Sequence, residues 1–338
     1  MTAKQFFFVL PVVAGCLYGC SKNEIIDTPA SQQEISFRAQ TSVPALRTTS
    51  TTLDYVNAFV VYGSDDVFGA NGDLIFDGVT VARQPGSIAA FAYAPKKYYG
   101  QGATEAKFFA YSPVSKNITG FSATGDATDE LSDVTFNYKV LKPLDTGNTS
   151  QEDLLVAHTI PNDVTGAVAL DFKHALSRIF VKAANELNEP VTITKLTLRN
   201  LYDNGTFTFT TLSNIWSWNT IDAKTDYSYV LANTGVAVPV GTTTKTLVTS
   251  NEQGMLVLPQ KTSNTNDDKI VDTGDFALEV TYDIANLIDQ TAYVLLADNY
   301  EFEAGKQYAI TISFTGTDLV EITFTITVTD FDSITDIP

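Results

Sequence analysis

Three features of the 338-residue sequence predict an all-β fold. Thr makes up roughly one residue in eight and is joined by 15 Tyr and 21 Phe, residue types that suit a pleated, half-buried surface. Apolar residues recur at every second position in short runs, and clusters of Gly, Asn, Asp and Pro separate those runs. Helix-compatible stretches are few and short, such as Asp129–Ser132 and Ala175–Ser177. Many short strands at near-regular spacing make sandwiches or barrels, whereas a βαβ unit needs a helix between its strands. An apolar share of 44% with 18% charged residues is a globular composition, and the length suits two domains with their own cores.

The first strand is Glu34–Ala39, where Ile35, Phe37 and Ala39 share one face. Gln40–Thr52, rich in Thr and Ser around Pro44, is the loop behind it. Strands are then expected at Asn57–Tyr62, Asp73–Phe76, Ile88–Tyr93, Lys107–Tyr111, Val134–Tyr138 and Asp153–His158. The polar stretch Pro161–Gly166 interrupts the pattern, which places a domain boundary there and divides the chain into 34–162 and 163–338. Beyond it come Ala167–Phe172, Leu176–Ala183, Val191–Asn200, Gly205–Thr210, Ser228–Leu231, Thr246–Val248, Met255–Leu258, Phe276–Asp283, Ala292–Leu296, Tyr308–Phe314 and Leu319–Thr329. A faint two-fold echo relates Ile35–Phe37 to Leu170–Phe172, each heading one half. The terminal strand has the clearest pattern. Val320, Ile322, Phe324, Ile326 and Val328 alternate with Glu and Thr, so one face is apolar and the other polar.

The N-terminus reads as an address. In residues 1–19 a single Lys4 precedes an apolar run from Phe6 to Gly19 that contains Pro11 and is short for a bilayer span. Leu17-Tyr18-Gly19-Cys20 has the pattern of a bacterial lipobox: an aliphatic residue, a tolerant position, a small residue at the cut, and a thiol for the lipid thioether. Val13-Ala14-Gly15-Cys16 fits in a second frame. Cys20 is preferred because polar Ser21–Glu24 follows it, whereas Cys16 leaves Leu17 and Tyr18 on the mature end. The plainer alternative is a signal peptide that happens to contain Cys. Several acyl chains, each CH₂ contributing about 0.8 kcal/mol, make a firm anchor for the precursor in the outer membrane. Residues 20–33, polar with Pro29, form a tether.

Chemistry is sparse. The net charge is −18 and no Lys/Arg cluster stands out, which argues against nucleic acid as a partner. Two His, and two Cys confined to the first 20 residues, leave little for a zinc site or a Ser-His-Asp or Cys-His enzyme. His174 lies near Asp171 and Ser177 in sequence, but no nucleophile elbow accompanies them, so it is read as structural, as is His158. The acid pairs Asp65/Asp66, Asp267/Asp268, Asp272/Asp275 and Asp330/Asp332 are read as turn acids before a glycosidase pair. Asn71–Asp73 and Asn264–Asp268 hold oxygen ligands without EF-hand spacing. No catalytic residue, metal site or cofactor is expected. Trp216 and Trp218 share a strand face, where burial is the plain reading and a sugar platform the sharper one.

The ordered set of short motifs resembles the fimbrillin family of lipoproteins, pilin-like proteins of Gram-negative gut and oral bacteria. It comprises Cys20–Glu24, Ile35–Phe37 followed by the loop with Arg47, Phe59–Tyr62, Phe109–Pro113, Asp153–Ala157, Leu170–Ser177, Met255–Gln260, Phe302–Tyr308 and Val328–Phe331. The resemblance implies two transthyretin-like Greek-key β-sandwich domains in tandem and a lipidated precursor displayed on the cell surface. It also implies assembly with other fimbrial subunits by β-strand addition. The resemblance further implies that a trypsin-like protease cuts behind the first strand, here at Arg47 or alternatively at Arg38, that the released strand carries Ile35, Phe37 and Ala39, and that the terminal strand with Val320, Ile322, Phe324, Ile326 and Val328 is the donor. Phe331 stands where family members often carry Trp, and seven residues follow it, so stalk, tip and anchor roles stay open. A host protein or glycan is the expected ligand. The alternative function is a surface lipoprotein that binds glycans for uptake.

Overall fold

The computed structural model describes residues 32–41, 56–87, 90–115, 117–124, 131, 133–141, 151–161, 163–210, 215–231, 235–249, 254–264, 272, 274–316 and 321–330. The signal peptide, both cysteines, Arg47 and Val320 lie outside these residues. Within them the chain is all-β, with a single 3-10 turn at Gly69–Asn71 and no α-helix.

Nine strands come first: β1 (Phe37–Thr41), β2 (Ala58–Asp65), β3 (Phe76–Arg83), β4 (Phe91–Ala92), β5 (Ala106–Ser112), β6 (Ile118–Thr124), β7 (Asp133–Lys139), β8 (Leu155–Thr159) and β9 (Val168–His174). Then follow β10 (Ser177–Asn185), β11 (Val191–Thr210), β12 (Ile215–Val230), β13 (Val236–Val238), β14 (Thr242–Leu247), β15 (Met255–Val257) and β16 (Gln260–Lys261). The last are β17 (Ala277–Ile284), β18 (Leu287–Leu295), β19 (Glu301–Phe302), β20 (Lys306–Thr315) and β21 (Glu321–Asp330).

The first sheet has the order β1-β9-β8-β5-β2-β3-β4. Its two end strands, β1 and β4, lie beside each other, so the sheet rolls around its own core. That core holds Phe37, Phe59, Val61, Phe76, Tyr93, Phe108, Ala110, Leu170 and Phe172. β2 and β5 are buried along almost their whole length because both of their faces are covered. Phe59, Val61 and Phe108 point into the rolled core, while Val60, Tyr62, Phe109 and Tyr111 join a second, larger core. Gly63 makes this packing possible: a Cβ there would sit 2.3 Å from the Phe108 ring.

The second core lies between two more sheets. One has the order β14-β10-β20-β21, with β15 also on β10. The other has the order β18-β17-β11-β7-β6, with β12 and β13 on β11. Alternate residues of β10, β11, β17 and β20 fill the space between them, among them Ile179, Val181, Leu196, Leu198, Val280, Ile310 and Ile312. An aromatic column ties this core to the first sheet. Tyr62 stacks on Phe121 at 3.9 Å, Phe121 on Phe136 at 5.7 Å, and Phe136 on Phe207 at 4.8 Å.

Strand pairing crosses residue 163 in both directions. β6 and β7 lie before it and pair into the sheet of β11. β1 pairs in parallel with β9, which lies after it. The two strands that carry the two-fold echo are therefore neighbours, offset so that Phe37 pairs with Val168 and Ala39 with Leu170.

Several element boundaries differ from the sequence reading. Ala175 and Leu176, both fully buried, form the bend between β9 and β10, and the strand expected at Leu176–Ala183 runs from Ser177 to Asn185. The strand expected at Asp73–Phe76 begins at Phe76 and runs on to Arg83. Val191–Asn200 and Gly205–Thr210 are one strand, β11, with register shifts between Leu198 and Leu201 and between Tyr202 and Asn204. β12 extends back to Ile215, and β6 carried too little alternation to be expected at all.

Candidate strand-exchange site

β1 is a five-residue strand at one end of the first sheet. Ile35, Phe37 and Ala39 are buried, while Ser36 and Arg38 between them are exposed. Phe37 is the hub. Its ring meets Phe59 at 6.0 Å, Phe76 at 5.1 Å, Tyr93 at 5.9 Å and Phe108 at 5.7 Å, all edge to face. Burying Ile35 and Phe37 contributes about 1.5–3 kcal/mol each.

Backbone bonds hold the strand on both sides. Residues Phe37–Thr41 run parallel to Val168–Phe172, and Val168 N donates to Ser36 O at 2.8 Å. On the other side Ile35 N donates to Lys97 O at 3.0 Å, and Tyr99 N donates to Gln33 O at 3.1 Å. The Tyr93 hydroxyl donates to Ile35 O. Glu34 pairs with Lys96, an exposed ion pair of small energetic weight. The 97–100 segment is itself pinned by Asp65. This fully buried carboxylate accepts from Val67 N, Phe68 N and Gly100 N at 3.0, 2.8 and 2.6 Å. Arg38 lies inside β1 opposite Ala169. A bond in a paired strand does not enter a protease cleft without local opening.

β21 pairs antiparallel with β20 over its full length, from Glu321 opposite Thr315 to Asp330 opposite Lys306. Lys306 Nζ reaches Asp330 Oδ1 at 2.6 Å. Ile322, Phe324, Ile326 and Val328 share the face that meets the second core. Ile322 and Ile326 are partly buried against it, whereas Phe324 and Val328 are 39% and 46% exposed. Among the described residues no strand pairs with the outer edge of β21.

Of the other residues marked in the sequence, His158, Asp171 and Trp216 line one cleft, and the rest do not converge. His174 Nδ1 faces Asp153 Oδ2 at 2.6 Å. The Ser177 hydroxyl donates to Glu303 O at 2.7 Å, and Asp171 lines a separate cleft. Asp66 binds the Thr104 N–H and hydroxyl; burial opposes ionisation, but these bonds hold its carboxyl below the usual range. Asp275 Oδ2 accepts from Asp272 N within a turn. Both tryptophans are half-buried, and Trp218 Nε1 donates to Ala175 O at 2.8 Å. The sequence reading did not place Phe37 at the centre of four rings, because those partners come from three other strands and the 93–99 segment.

These features define an all-β protein whose first strand is a short end strand plugging a rolled sheet. The family profile described as fimbrillin-like matches residues 47–330, and the chain belongs to that family. Membership supports a fimbrial or adhesive role at the cell surface, in a family of structural proteins. No curated protein matches the sequence. Among solved structures, a candidate cell adhesion protein from Bacteroides uniformis is 17% identical with a TM-score of 0.50, covering 88% of this chain and 99% of that one. That likeness shows the fold. Candidate cell adhesion proteins from Bacteroides ovatus and Parabacteroides distasonis are 14% and 11% identical, each with a TM-score of 0.49. They cover 89% and 88% of this chain and 97% of each of theirs.

Proposed function

We propose that the protein is a structural subunit or tip adhesin of cell-surface fimbriae, exported as a lipoprotein precursor and assembled by strand exchange. In this reading Cys20 carries the lipid that holds the precursor at the outer membrane. The two cores are read as tandem transthyretin-like sandwiches, with β9 completing the first and β6 and β7 joining the second, so no single cut near residue 163 divides them. Cleavage at Arg47 frees the segment that contains β1. The single observation that carries the proposal is the position of Phe37, which makes β1 a removable plug for the rolled core.

Losing β1 uncovers Phe59, Phe76, Tyr93 and Phe108 and leaves the edge of β9 unpaired. The loss is comparable with the whole stability of a small domain, so the groove needs a replacement strand. An incoming strand supplies backbone bonds to β9 and apolar side chains at every second position. β21 has that pattern. Its apolar face is half-exposed and it stands at an end of its sheet, as a strand that can be given up would.

The test is to incubate the precursor with a trypsin-like protease, sequence the new N-terminus and follow the oligomeric state. Cleavage after Arg47 followed by oligomers supports the reading. A protein that stays intact at Arg47, or is cut there and stays monomeric, removes it.

A further inference from the structure

The outward face of the first sheet forms a cleft where the β11–β12 hairpin leans across it, with a volume of about 440 Å³. Small-ligand sites have this size. On the sheet side it is lined by His158 of β8 and by Asp171 and Lys173 of β9. These residues point outward because their neighbours Ala157 and Phe172 are buried in the rolled core. Phe109 and Phe209 make an apolar floor, and Trp216 makes the facing wall. The His158 ring packs on Phe209 with centroids 4.6 Å apart, and Trp216 meets Phe207 edge to face at 5.7 Å, so both ring planes are set by packing.

An aromatic wall with one carboxylate and one ammonium at the rim matches a pyranose, which has an apolar C–H face and a girdle of hydroxyls. A carboxylate accepts from two vicinal hydroxyls, and an ammonium donates to the remaining oxygens. An anionic sugar would face Asp171 and the net charge of −18. We propose that this cleft binds a neutral hexopyranose unit of a glycan, stacked on Trp216 and hydrogen-bonded by Asp171 and Lys173. This names a ligand class for the adhesin and rests on that reading for its biological purpose.

The experiment titrates the mature protein with D-galactose, D-glucose, D-mannose and N-acetyl-D-glucosamine, with N-acetylneuraminic acid as the charged contrast. Tryptophan emission and saturation-transfer NMR are the readouts. At least one neutral sugar is expected to bind in the millimolar range and to change the emission. Trp216→Phe is expected to remove the emission change. Asp171→Asn, at a partly exposed position and with its circular dichroism checked against the parent, is expected to weaken binding about tenfold. Binding of none of the neutral sugars, binding unchanged in Asp171→Asn, or preference for N-acetylneuraminic acid overturns the proposal. The protease and oligomer assay on the same variants separates the two readings. Oligomers without sugar binding remove only this inference, and sugar binding without oligomers removes only the strand-exchange reading.

Discussion

The ring of Phe37 meets that of Phe76 edge to face, with centroids 5.1 Å apart and planes at 80°. Phe76 opens β3, near the far end of the sheet from β1, so this contact closes the roll and does not merely fill it. Phe37→Ala is expected to destabilise the uncleaved protein by about 3–5 kcal/mol, the usual loss for a buried Phe. Arg38→Ala, one residue on and exposed, is expected to change stability by no more than about 0.5 kcal/mol. Equilibrium denaturation of the two variants decides the matter, and equal losses would show that Phe37 is not the hub.

Lipidation tests the N-terminal reading independently of the fold. Metabolic labelling with a fatty-acid analogue is expected to be lost in Cys20→Ala and kept in Cys16→Ala. The reverse pattern would move the processing site to the earlier frame.

His174 and Asp153 join the end of β9 to the segment entering β8. Both are partly exposed, so solvent weakens the pair. His174→Ala is expected to cost about 1 kcal/mol, seen as a lower melting temperature, without affecting cleavage or oligomer formation. A variant that melts like the parent but no longer assembles would give His174 a role beyond structure.

The legible part of the fold was the part written in local alternation. β20 and β21 stand where Tyr308–Phe314 and Leu319–Thr329 were expected, because a pleated strand with one covered face must alternate. Ile35, Phe37 and Ala39 pointed inward for the same reason. The parallel pairing of β1 with β9 was not legible, since more than a hundred residues separate the partners and neither strand encodes the other's register. β12 was half-missed because Lys and Asp interrupt its pattern, although its pairing with β11 holds it as a strand. The cleft at Asp171 and Trp216 was invisible for a related reason: its residues come from strands that meet only in the folded sheet.

Alkaline pH is expected to loosen the second core. Burial pushes the Tyr308 hydroxyl up from its ordinary value of 10.0 to about 12. That hydroxyl donates to Glu301 O at 3.1 Å and accepts from Glu303 N at 2.6 Å. A pKa raised on folding means that the unfolded chain loses its proton first. The stability is therefore complete below pH 10 and is lost as the pH climbs toward about 12. Denaturation midpoints measured across this window are expected to fall, and Tyr308→Phe is expected to fall less steeply while being about 1 kcal/mol weaker at neutral pH. Parallel curves for the two proteins would count against a coupled Tyr308.

The last prediction separates the two jobs proposed for β21. In the folded subunit Phe324 covers the edge of the second core opposite Ile312, yet it remains 39% exposed. With part of its surface already in water, Phe324 has less transfer energy to lose than a core residue, so Phe324→Ser is expected to cost the monomer about 1–2 kcal/mol. Ile312, fully buried beside it, is the control: Ile312→Ser is expected to cost several times more. In a donor strand the same Phe324 would enter the groove left by β1, among Phe59, Phe76 and Phe108, where it would be buried on all sides. Phe324→Ser is therefore expected to abolish oligomers of the cleaved protein while lowering its melting temperature by only a few degrees. Thr325→Ser, on the opposite face, is expected to leave both intact. Oligomers that form at the parental rate from Phe324→Ser protein would exclude β21 as the donor, even with cleavage at Arg47 established.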